Sequence, residues 1–519
     1  MTSPIEHVAI VGGGTAGWLT ACILASEFQD SAGHPSVKVT LIESPDIPTL
    51  GVGEGTWPSM RTTLQAIGLS ETEFLTTCAA SFKQGTLFED WLESGHQYIH
   101  PFTPPLKDGV TDLASAWQGP NSEFSFAWSA CPSAGLAFGD KAPKQITTPE
   151  YAFAANYGYH LDAGAFAKLL TEHGVKRLGI QHHLLNIKET KSTLAGTIEA
   201  LIAEGGDTIK ADLYIDCSGS NALLLSRILE VPLLKKSNIL FNNAALAVQV
   251  PHLAQDSPIA SSTRSTAMDH GWIWDIALKH RRGIGYVHSS TFVDERDAEL
   301  TLRRYIAKEF NAEIANEIAP RKLTFEPGYR NCFWKQNVIA IGMSSGFIEP
   351  LEASALVMVE TSAWLLAKNL PTCLEDMTSS ADRFNQGLSR HWERIIHFLK
   401  LHYVLSKRPG AYWDAHRDPL SWPDSLVEDL RGWANRPIDY ADADRISDLF
   451  PAASYQYVFH GMGRPVGHDH RARKSLLKTT AAAPRMTAEL SKKQKALFDA
   501  MPTNRGLLEK IHTFGLPTI

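Results

Sequence analysis

The stretch His7-Val8-Ala9-Ile10-Val11-Gly12-Gly13-Gly14-Thr15-Ala16-Gly17-Trp18 decides the fold. Five mostly apolar residues predict a short buried strand, the glycines predict a turn, and the apolar run from Trp18 to about Ser26 predicts a helix. A second predicted strand, Val37 to Ile42, ends at Glu43. Strand, glycine turn, helix, strand and acid in this order form the βαβ fingerprint of a dinucleotide-binding domain.

The glycines of this fingerprint have separate roles. Gly12 permits the tight turn, Gly14 lets the backbone approach a pyrophosphate, and Gly17 lets the helix pack on the strand. Glu43 stands where a carboxylate binds the adenosine ribose hydroxyls. The fingerprint itself does not distinguish NAD from FAD. The nucleotide contacts predicted from this motif are Gly12, Gly14, Thr15, Ala16, Gly17 and Glu43.

Two later segments return to the same nucleotide. Residues 211–219 read as a strand that ends in small and acidic residues, and they resemble the central motif of FAD-dependent monooxygenases. Residues 337–342 read as a further strand, and residues 346–352 lead into a long apolar helix. Three returns to one nucleotide imply FAD held extended in an interrupted domain. These segments predict further FAD contacts from Asp216, Gly342, Phe347 and Ile348.

Length and composition are those of a large globular enzyme. The 519 residues predict two or more domains, and 44% hydrophobic with 20% charged residues is ordinary for a packed core. A net charge of -7 gives no reason to expect nucleic acid as a partner. The six cysteines show no metal spacing, which predicts no metal site and suits a reducing compartment. No signal peptide or membrane-spanning stretch is visible, so we predict a cytoplasmic protein.

Two features exceed what nucleotide binding requires. The segment Gly271-Trp272-Ile273-Trp274-Asp275-Ile276 has period two, which places the tryptophans on one face of a strand, although a buried aromatic ladder would also explain it. Lys83 is predicted at the C-terminal edge of a helix that begins at a capping box, Ser70 to Glu73. A lysine there ordinarily complements the helix dipole, as would Glu352 in the first turn of its own helix.

Together these residues resemble the flavin-dependent halogenases of the tryptophan-halogenase family. The resemblance implies FAD, supplied as FADH2 by a separate flavin reductase, and a halide ion as cosubstrate. It adds Val52 and Gly53 to the predicted FAD contacts. The matches occur in family order over roughly the first 360 residues: Gly12 to Gly17, the loop Gly51 to Thr56 with Pro58, Lys83, Trp272 to Ile276, and Phe347 to Glu352.

The resemblance also implies a division of labour. A flavin hydroperoxide is attacked by chloride or bromide, and the resulting hypohalous acid is relayed to Lys83, which hydrogen-bonds it or becomes a haloamine. Glu352 stabilises the cationic intermediate of aromatic substitution or takes its proton. The backbone N–H groups of Ser354 and Ala355 contact the halide. The paired tryptophans separate a flavin chamber from a substrate chamber.

The chain departs from the family at the end of the third motif. The family commonly continues with Ser-Thr-Gly after the acid, whereas this chain has Ala353-Ser354-Ala355, which leaves the halide preference open because Ala355 lacks the conformational freedom of glycine. No counterpart of a clamp for the amino-acid end of tryptophan is visible. An electron-rich aromatic of indole type is therefore the predicted substrate. The candidate pocket residues are His100, Phe102, Trp272, Trp274, Tyr455 and Phe459.

The predicted fold class is α/β: a Rossmann-like FAD-binding domain of the aromatic-hydroxylase type, with an inserted β-sheet substrate domain and a C-terminal helical cap. Alternation of Phe124, Phe126 and Trp128 predicts a strand in the insertion, and residues 487–508 predict one or two amphipathic helices. The predicted parts are residues 1–99 for the first part of the FAD domain, 100–185 for a substrate-side sheet insertion, 186–225 for the return to the FAD domain, 226–335 for the sheet domain with the paired tryptophans, 336–370 for the third FAD motif and halide-site helix, and 371–519 for the helical cap.

Two other functions share the nucleotide motifs. A single-component FAD-dependent aromatic hydroxylase would oxidise NADPH by itself. A non-catalytic nucleotide-binding protein related to prenyl-GTPase chaperones would need neither Lys83 nor the paired tryptophans. The triplet His468-Asp469-His470 is read as a solvated loop without a function. A small aromatic substrate and a flavin reductase are the expected partners, with no nucleic acid and no membrane, and the oligomeric state is open, a homodimer being one alternative.

Overall fold

The computed structural model describes residues 4–30, 32–47, 53–108, 111–117, 119, 125–443, 449–467 and 474–518. The chain divides into two compact units, which we call unit 1 and unit 2, and each unit is built from three separate segments. Unit 1 comprises Met1–Ala79, Leu161–Lys236 and Glu326–Trp392, and unit 2 comprises Ala80–His160, Ser237–Phe325 and Glu393–Ile519. The mixed α/β class predicted from the sequence is confirmed.

Unit 1 is organised around a largely parallel sheet, as the βαβ fingerprint predicts. Across the described residues its strands follow the order Gln181–Leu184, Lys38–Glu43, His7–Val11, Leu213–Asp216, Val338–Ala340 and Trp334–Lys335. Every neighbouring pair is parallel except the last, which is antiparallel. Val11 pairs with both Ile42 and Asp216, and Asp216 pairs with Ala340, so the three nucleotide motifs end at one edge of the sheet. Ligands of such sheets bind outside the carboxyl ends of the strands.

The helices of unit 1 cover this sheet. Helix Thr15–Glu27 is apolar and buried along most of its length, and it contacts helices Ala163–Lys176 and Ser354–Asn369. The helices and strands of unit 1 outside the sheet are Gly53–Gly55, Ser59–Ala66, Glu71–Thr77, Ala163–Lys176, Ile187–Ser192, Ile198–Ala203, Thr208–Ile209, the π-helix Leu223–Ile228, Leu233–Lys235, Gly328–Arg330, Gly346–Phe347 and Ser354–Asn369.

The segment boundaries of the two units do not coincide with the limits of the parts predicted from the sequence. The first segment of unit 2 is Ala80–His160, whereas the sequence predicted an insertion over residues 100–185. Helix Ala163–Lys176 packs on the dinucleotide helix and belongs to unit 1. After residue 161 the chain passes between the two units at residues 236/237, 325/326 and 392/393, whereas the limits predicted from the sequence were 225/226, 335/336 and 370/371. Helix packing sets these limits, and it is not visible in a local motif.

Unit 2 contains the larger antiparallel sheet. Its order among the described residues is Arg321–Thr324, Ala244–Pro251, Arg281–His288, Gly271–Ala277, Thr263–Met268, Gly85–Glu89 and Gln97–Pro101. Thr263–Met268 and Gly85–Glu89 form the one parallel pair among these described strands. Helix Glu295–Glu309 packs its Leu302 and Ile306 into a core with Ile273 and Tyr286 of the sheet. The alternating segments between residues 230 and 300 are therefore strands, as predicted.

The remaining part of unit 2 is mostly helical. The C-terminal segment contains helices as predicted, including two in the tail, and no described helix is long and apolar enough to cross a membrane. Strand Gly158–Asp162 and helix Met377–Leu405 extend across boundaries between the units. The other helices and strands of unit 2 are Ser81–Lys83, Lys107–Asp108, Thr111–Asp112, Phe126–Ala130, Ala134–Phe138, Ala312–Glu317, Ala411–Arg417, Asp424–Trp433, Ala452–Gly461, Lys474–Ala500 and Asn504–Phe514.

Two local predictions were wrong. Phe126–Ala130 is a short helix rather than a strand, because Phe126, Ala127 and Ala130 face a common core, and Phe124 lies outside the described residues. The helix before Lys83 spans only Glu71–Thr77 and is capped by Ser70 as predicted. Ala79 then adopts the left-handed conformation (φ 47°), which ends helices, so Lys83 lies in the strand Ser81–Lys83.

Candidate active site

A cavity of about 560 Å³ opens at the carboxyl edge of the unit 1 sheet. All three predicted nucleotide motifs contribute to its lining, together with the helix that begins at Ser354. The predicted residues that line it are Gly12, Gly14, Thr15, Ala16, Glu43, Gly342, Phe347, Ile348, Ser354 and Ala355. Gly17, Gly53 and Asp216 are not among its lining residues, and Val52 lies outside the described part of the chain.

The glycine loop has the geometry that a dinucleotide requires. Gly12 has φ +121°, and a Cβ atom there would stand 2.2 Å from the carbonyl oxygen of Cys217. A Cβ atom on Gly17 would stand 1.8 Å from the carbonyl oxygen of Gly12, so only glycine lets the helix approach the strand this closely. Gly14 faces open space, with nothing within 4 Å of an added Cβ. The glycine loop therefore packs against the backbone at Cys217, and its side at Gly14 is open to a ligand.

The first helix presents its N-terminus to the cavity. Its N-cap is Gly14, which has no side chain to accept the N–H groups of the first turn. Thr15 and Ala16 begin the helix and line the cavity. Unpaired helix N–H groups and the helix dipole bind phosphate groups. The cradle thus fits the pyrophosphate of FAD.

Glu43 has a partner that the sequence analysis did not identify. Its carboxylate lies 3.1 Å from His182 Nε2, and the His182 ring packs edge-on against Trp18 at 4.9 Å between ring centroids. His182 lies on the strand next to that of Glu43, which pairs Leu184 with Glu43. The imidazole holds the carboxylate at the rim of the cavity. Strand order, which is a tertiary property, was the only signal for this pair.

Asp216 shapes the second motif from behind the cavity wall. Its fully buried carboxylate accepts hydrogen bonds from the backbone N–H groups of Leu224 and Leu225 at 2.8 and 2.9 Å, and from the Ser218 hydroxyl at 2.6 Å. Burial raises the pKa of this carboxyl above its ordinary value, while these hydrogen bonds act in the opposite direction. The residue positions the loop that follows it, and its neighbours Cys217, Ser218 and Gly219 line the cavity.

The third motif ends in two left-handed residues. Glu352 has φ 65° and Ala353 has φ 55°, and the helix begins only at Ser354, so Glu352 precedes the helix instead of lying in its first turn. The backbone is held by the Trp57 indole N–H, which donates to the Glu352 carbonyl oxygen at 2.7 Å. The positions that favour glycine are therefore Glu352 and Ala353, whereas Ala355 is helical. The absence of glycine at Ala355 does not strain the anion site.

The start of this helix offers an anion site inside the FAD cavity. Ser354 and Ala355 are the first two residues of the helix, and both line the cavity. Their N–H groups have no partner within the helix, since the first four N–H groups of any helix lack one. The side chain of Glu352 is buried and is not part of the cavity lining. The start of the helix therefore faces the cavity with the backbone N–H groups of Ser354 and Ala355.

Two further carboxyl groups of unit 1 have strongly raised pKa values. Burial raises the pKa of Glu54, which lines the cavity, to about 7. Burial also raises the pKa of Glu360 to about 7, on the helix that begins at Ser354. Glu360 accepts hydrogen bonds from Thr63 at 2.6 Å and Ser59 at 3.2 Å, which fix helix Ser354–Asn369 to helix Ser59–Ala66. Neither carboxyl was singled out from the sequence.

Lys83 is a buried cation in unit 2. Its side chain is 1% exposed, and its Nζ atom stands over the ring of half-buried Phe102 at 5.4 Å from the centroid. Lys83 pairs with Gly158 on the neighbouring strand, and Ser81 pairs with His160, so lysine and histidine share one face. Burial and the Lys83 charge keep the pKa of His160 well below its usual range, so His160 is neutral. The lysine is built into a strand and is not a solvated helix-end residue.

The paired tryptophans form a buried wall on one face of their strand, as predicted. Trp272 and Trp274 are 1% and 9% exposed, and their rings lie 6.4 Å apart. Gly285 on the next strand pairs with Trp274, and an added Cβ there would come within 2.1 Å of the indole ring. Trp91 extends the wall at 6.4 Å from Trp272.

Three other candidate pocket residues lie in the core of unit 2. His100 is hydrogen-bonded to Ser454 at 2.9 Å and is 6% exposed. Tyr455 is fully buried at the centre of an aromatic cluster, and Phe459 contacts Trp433. Phe102 is the candidate that stays partly accessible. Lys83, Phe102 and the paired tryptophans thus belong to unit 2, while Glu352 and the predicted FAD and halide contacts belong to unit 1.

An interrupted Rossmann-like unit in which three nucleotide motifs line one cavity is typical of an FAD-dependent enzyme. Comparisons with known proteins identify the family. The family profile described as "Tryptophan halogenase" matches residues 7–475. Tryptophan 6-halogenase SttH from Streptomyces toxytricini is 30% identical to the chain, and the match covers 96% of this chain and 97% of the relative.

Solved structures agree with this match. A tryptophan halogenase from Shewanella frigidimarina is 43% identical with a TM-score of 0.95, over 99% of each chain. BrvH, a flavin-dependent halogenase from Brevundimonas sp. BAL3, is 29% identical with a TM-score of 0.83, over 98% of this chain and 99% of that chain.

The chain belongs to the tryptophan halogenase family. It is a flavin-dependent halogenase that uses FADH2 and a halide, which confirms the main functional prediction and does not support the hydroxylase alternative.

Proposed function

We propose that the enzyme halogenates an electron-rich aromatic ring of indole type, with Lys83 as the residue that handles the activated halogen. Reduced FAD, when bound, supplies the chemistry that converts oxygen and halide into hypohalous acid. Buried Lys83, with its ammonium over Phe102, carries this proposal. An ammonium donates to the oxygen of hypohalous acid, and a free amine would accept the halogen itself, so either protonation state retains the oxidant beside an aromatic wall.

Glu352 is proposed as the carboxylate that stabilises the cationic ring or accepts its proton. Its left-handed backbone is held by Trp57, which keeps the carboxyl at a fixed place before the helix. Ser354 and Ala355 are proposed to hold the halide through their N–H groups, and the cavity lining supports this assignment. The same proposal includes Trp272 and Trp274 as the barrier that separates the flavin chamber from the substrate chamber.

The proposal is tested by replacing Lys83 with methionine, which conserves length and removes the amine. The variant should bind FAD and consume oxygen like the wild type while giving no halogenated product, because the residue acts after the oxidant forms. Lys141→Met is the matched control, since Lys141 Nζ also stands over a phenylalanine ring, at 4.8 Å from the Phe498 centroid. Halogenated product from Lys83→Met at the wild-type rate would exclude the proposed role.

The substrate is proposed to be an indole without a charged tail. His100, Tyr455 and Phe459 are core residues, so the accessible aromatic wall next to Lys83 is Phe102. When a site surrounds the ring without fixing its orientation, the intrinsic reactivity of the ring determines which carbon is halogenated. Free indole should therefore react at its most nucleophilic carbon. Relatives such as tryptophan 6-halogenase SttH favour free tryptophan as the second candidate. Indole, free tryptophan and a tryptophan-containing peptide, compared with chloride and with bromide by mass spectrometry, separate these alternatives.

The reductant is proposed to come from a separate flavin reductase as diffusible FADH2. A second nucleotide fingerprint is not visible in the sequence. Purified enzyme with FAD, NADH and bromide should give product only when a reductase is added, and chemically reduced FAD should replace the reductase. Turnover with NADH and FAD alone would contradict this part of the proposal. We also propose that the enzyme is cytoplasmic.

A further inference from the structure

The FAD cavity of unit 1 has an unusual charge balance for a site that binds a diphosphate. Among its described lining residues, three are acidic, namely Glu43, Glu54 and Glu204, and a single one, Arg227, is a permanent cation. The pyrophosphate of FAD carries negative charge, whereas the charged side chains of this lining are mostly acidic. Among the described lining residues, the guanidinium of Arg227 is therefore the side-chain group that can complement the negative charge of the pyrophosphate.

Arg227 follows directly from the second nucleotide motif. It lies in the last turn of the π-helix Leu223–Ile228, and π-helical turns occur frequently at functional sites. The loop before this turn touches the pyrophosphate cradle, because a Cβ on Gly12 would clash with the Cys217 carbonyl oxygen. The Arg227 guanidinium donates to the Asn221 side-chain oxygen at 3.0 Å, and both residues line the cavity.

The backbone of this second turn is not available to a phosphate. The N–H groups of Leu224 and Leu225 donate to the buried carboxylate of Asp216, and that of Leu223 donates to the Ser218 hydroxyl at 2.7 Å. An internal anion thus already occupies the N-terminus that would otherwise bind one. These three N–H groups of the turn are therefore already engaged, whereas the Arg227 side chain lines the cavity.

We propose that Arg227 binds the pyrophosphate of FAD together with the backbone donors of the first helix, and that the hydrogen bond to Asn221 orients the guanidinium. The first helix then supplies N–H groups to the diphosphate, and Arg227 supplies its charge and a planar pair of donors. This inference rests on the use of FAD by the family and assigns no part in the halogenation chemistry to Arg227.

Arg227→Gln tests the proposal through ligand binding. The dissociation constants of oxidised FAD, ADP, adenosine and riboflavin are measured by flavin fluorescence, with ADP and adenosine as competitors of FAD. FAD and ADP should bind about tenfold more weakly, the usual effect of losing a charge-assisted hydrogen bond, while riboflavin and adenosine are unchanged. The FAD affinity of the variant should also fall less steeply with added salt. Arg227→Lys should keep part of the affinity, since it retains the charge.

Arg177→Gln is the matched control, because Arg177 is an exposed arginine of unit 1 outside the cavity lining. It makes the same change in net charge and should leave the affinity for FAD at the wild-type value. An FAD dissociation constant of Arg227→Gln within about twofold of the wild type at low salt overturns the proposal. Equal losses for FAD and riboflavin, or for ADP and adenosine, overturn it too, since they indicate a contact to the flavin or adenosine end. Binding of FAD to the wild-type protein tests separately whether FAD is the cofactor.

Discussion

Replacing Glu360 with glutamine should change how the stability of the protein depends on pH. Glu360 is 2% exposed, and burial raises its pKa from 4.5 to about 7. The folded state therefore holds this proton more tightly than the unfolded state does. Stability from this group is greatest below pH 4.5, declines as the pH rises toward 7, and is constant above it.

The size of the effect follows from the pKa difference. Each unit of pKa corresponds to about 1.4 kcal/mol, so the complete decline is about 3 kcal/mol, of which about 2 kcal/mol falls between pH 5.5 and pH 8.5. Glutamine has the shape of the neutral acid, can accept the hydrogen bond of Thr63 and can donate to Ser59. Glu360→Gln removes the titration, so its stability relative to the wild type should rise by that amount between the two pH values.

Urea unfolding followed by tryptophan fluorescence provides the assay, because Trp364 lies beside this cluster and donates to Thr63 at 3.1 Å. The difference between variant and wild type cancels the titration of all other groups. Glu27→Gln, at an exposed position of unit 1, serves as the control and should give a difference that does not change with pH. A pH-independent difference for Glu360→Gln as well would refute the reasoning.

Three further outcomes are expected. Gly285→Ala should lower the urea midpoint, with a loss of about 1–3 kcal/mol in the free energy of unfolding, because the added Cβ would lie 2.1 Å from the Trp274 ring; unchanged unfolding would show that the ring moves freely. Phe102→Ala should alter the ratio of indole to phenol products, measured by mass spectrometry, while oxygen consumption without substrate stays the same; equal changes in both would place Phe102 at the flavin instead. His182→Ala should weaken FAD binding several-fold in fluorescence titrations, since Glu43 loses the partner at 3.1 Å that orients it, and wild-type affinity would mean that the carboxylate does not depend on this histidine.

Local pattern in the sequence determined the nucleotide-binding core. The strand before Gly12, the glycine turn and the acid at Glu43 are encoded within a few dozen residues, and backbone sterics allow few structures for such a segment. The start of the halide-site helix near Ser354 and the strand that bears the paired tryptophans were predictable for the same reason. Each depends on periodicity or on a turn residue, and both properties can be read along the chain.

Tertiary structure alone decided the surroundings of these residues. Lys83 was predicted at the C-terminal edge of a helix, but the left-handed turn at Ala79 ends the helix earlier, and Lys83 lies in a strand where packing buries it. His182, 139 positions from Glu43 in the chain, became its partner through strand order. Asp216 came to hold a turn because the fold brings the N–H groups of Leu224 and Leu225 to its carboxylate. Contacts between distant segments follow from which surfaces exclude water together, and this depends on the whole fold and leaves no local period in the sequence.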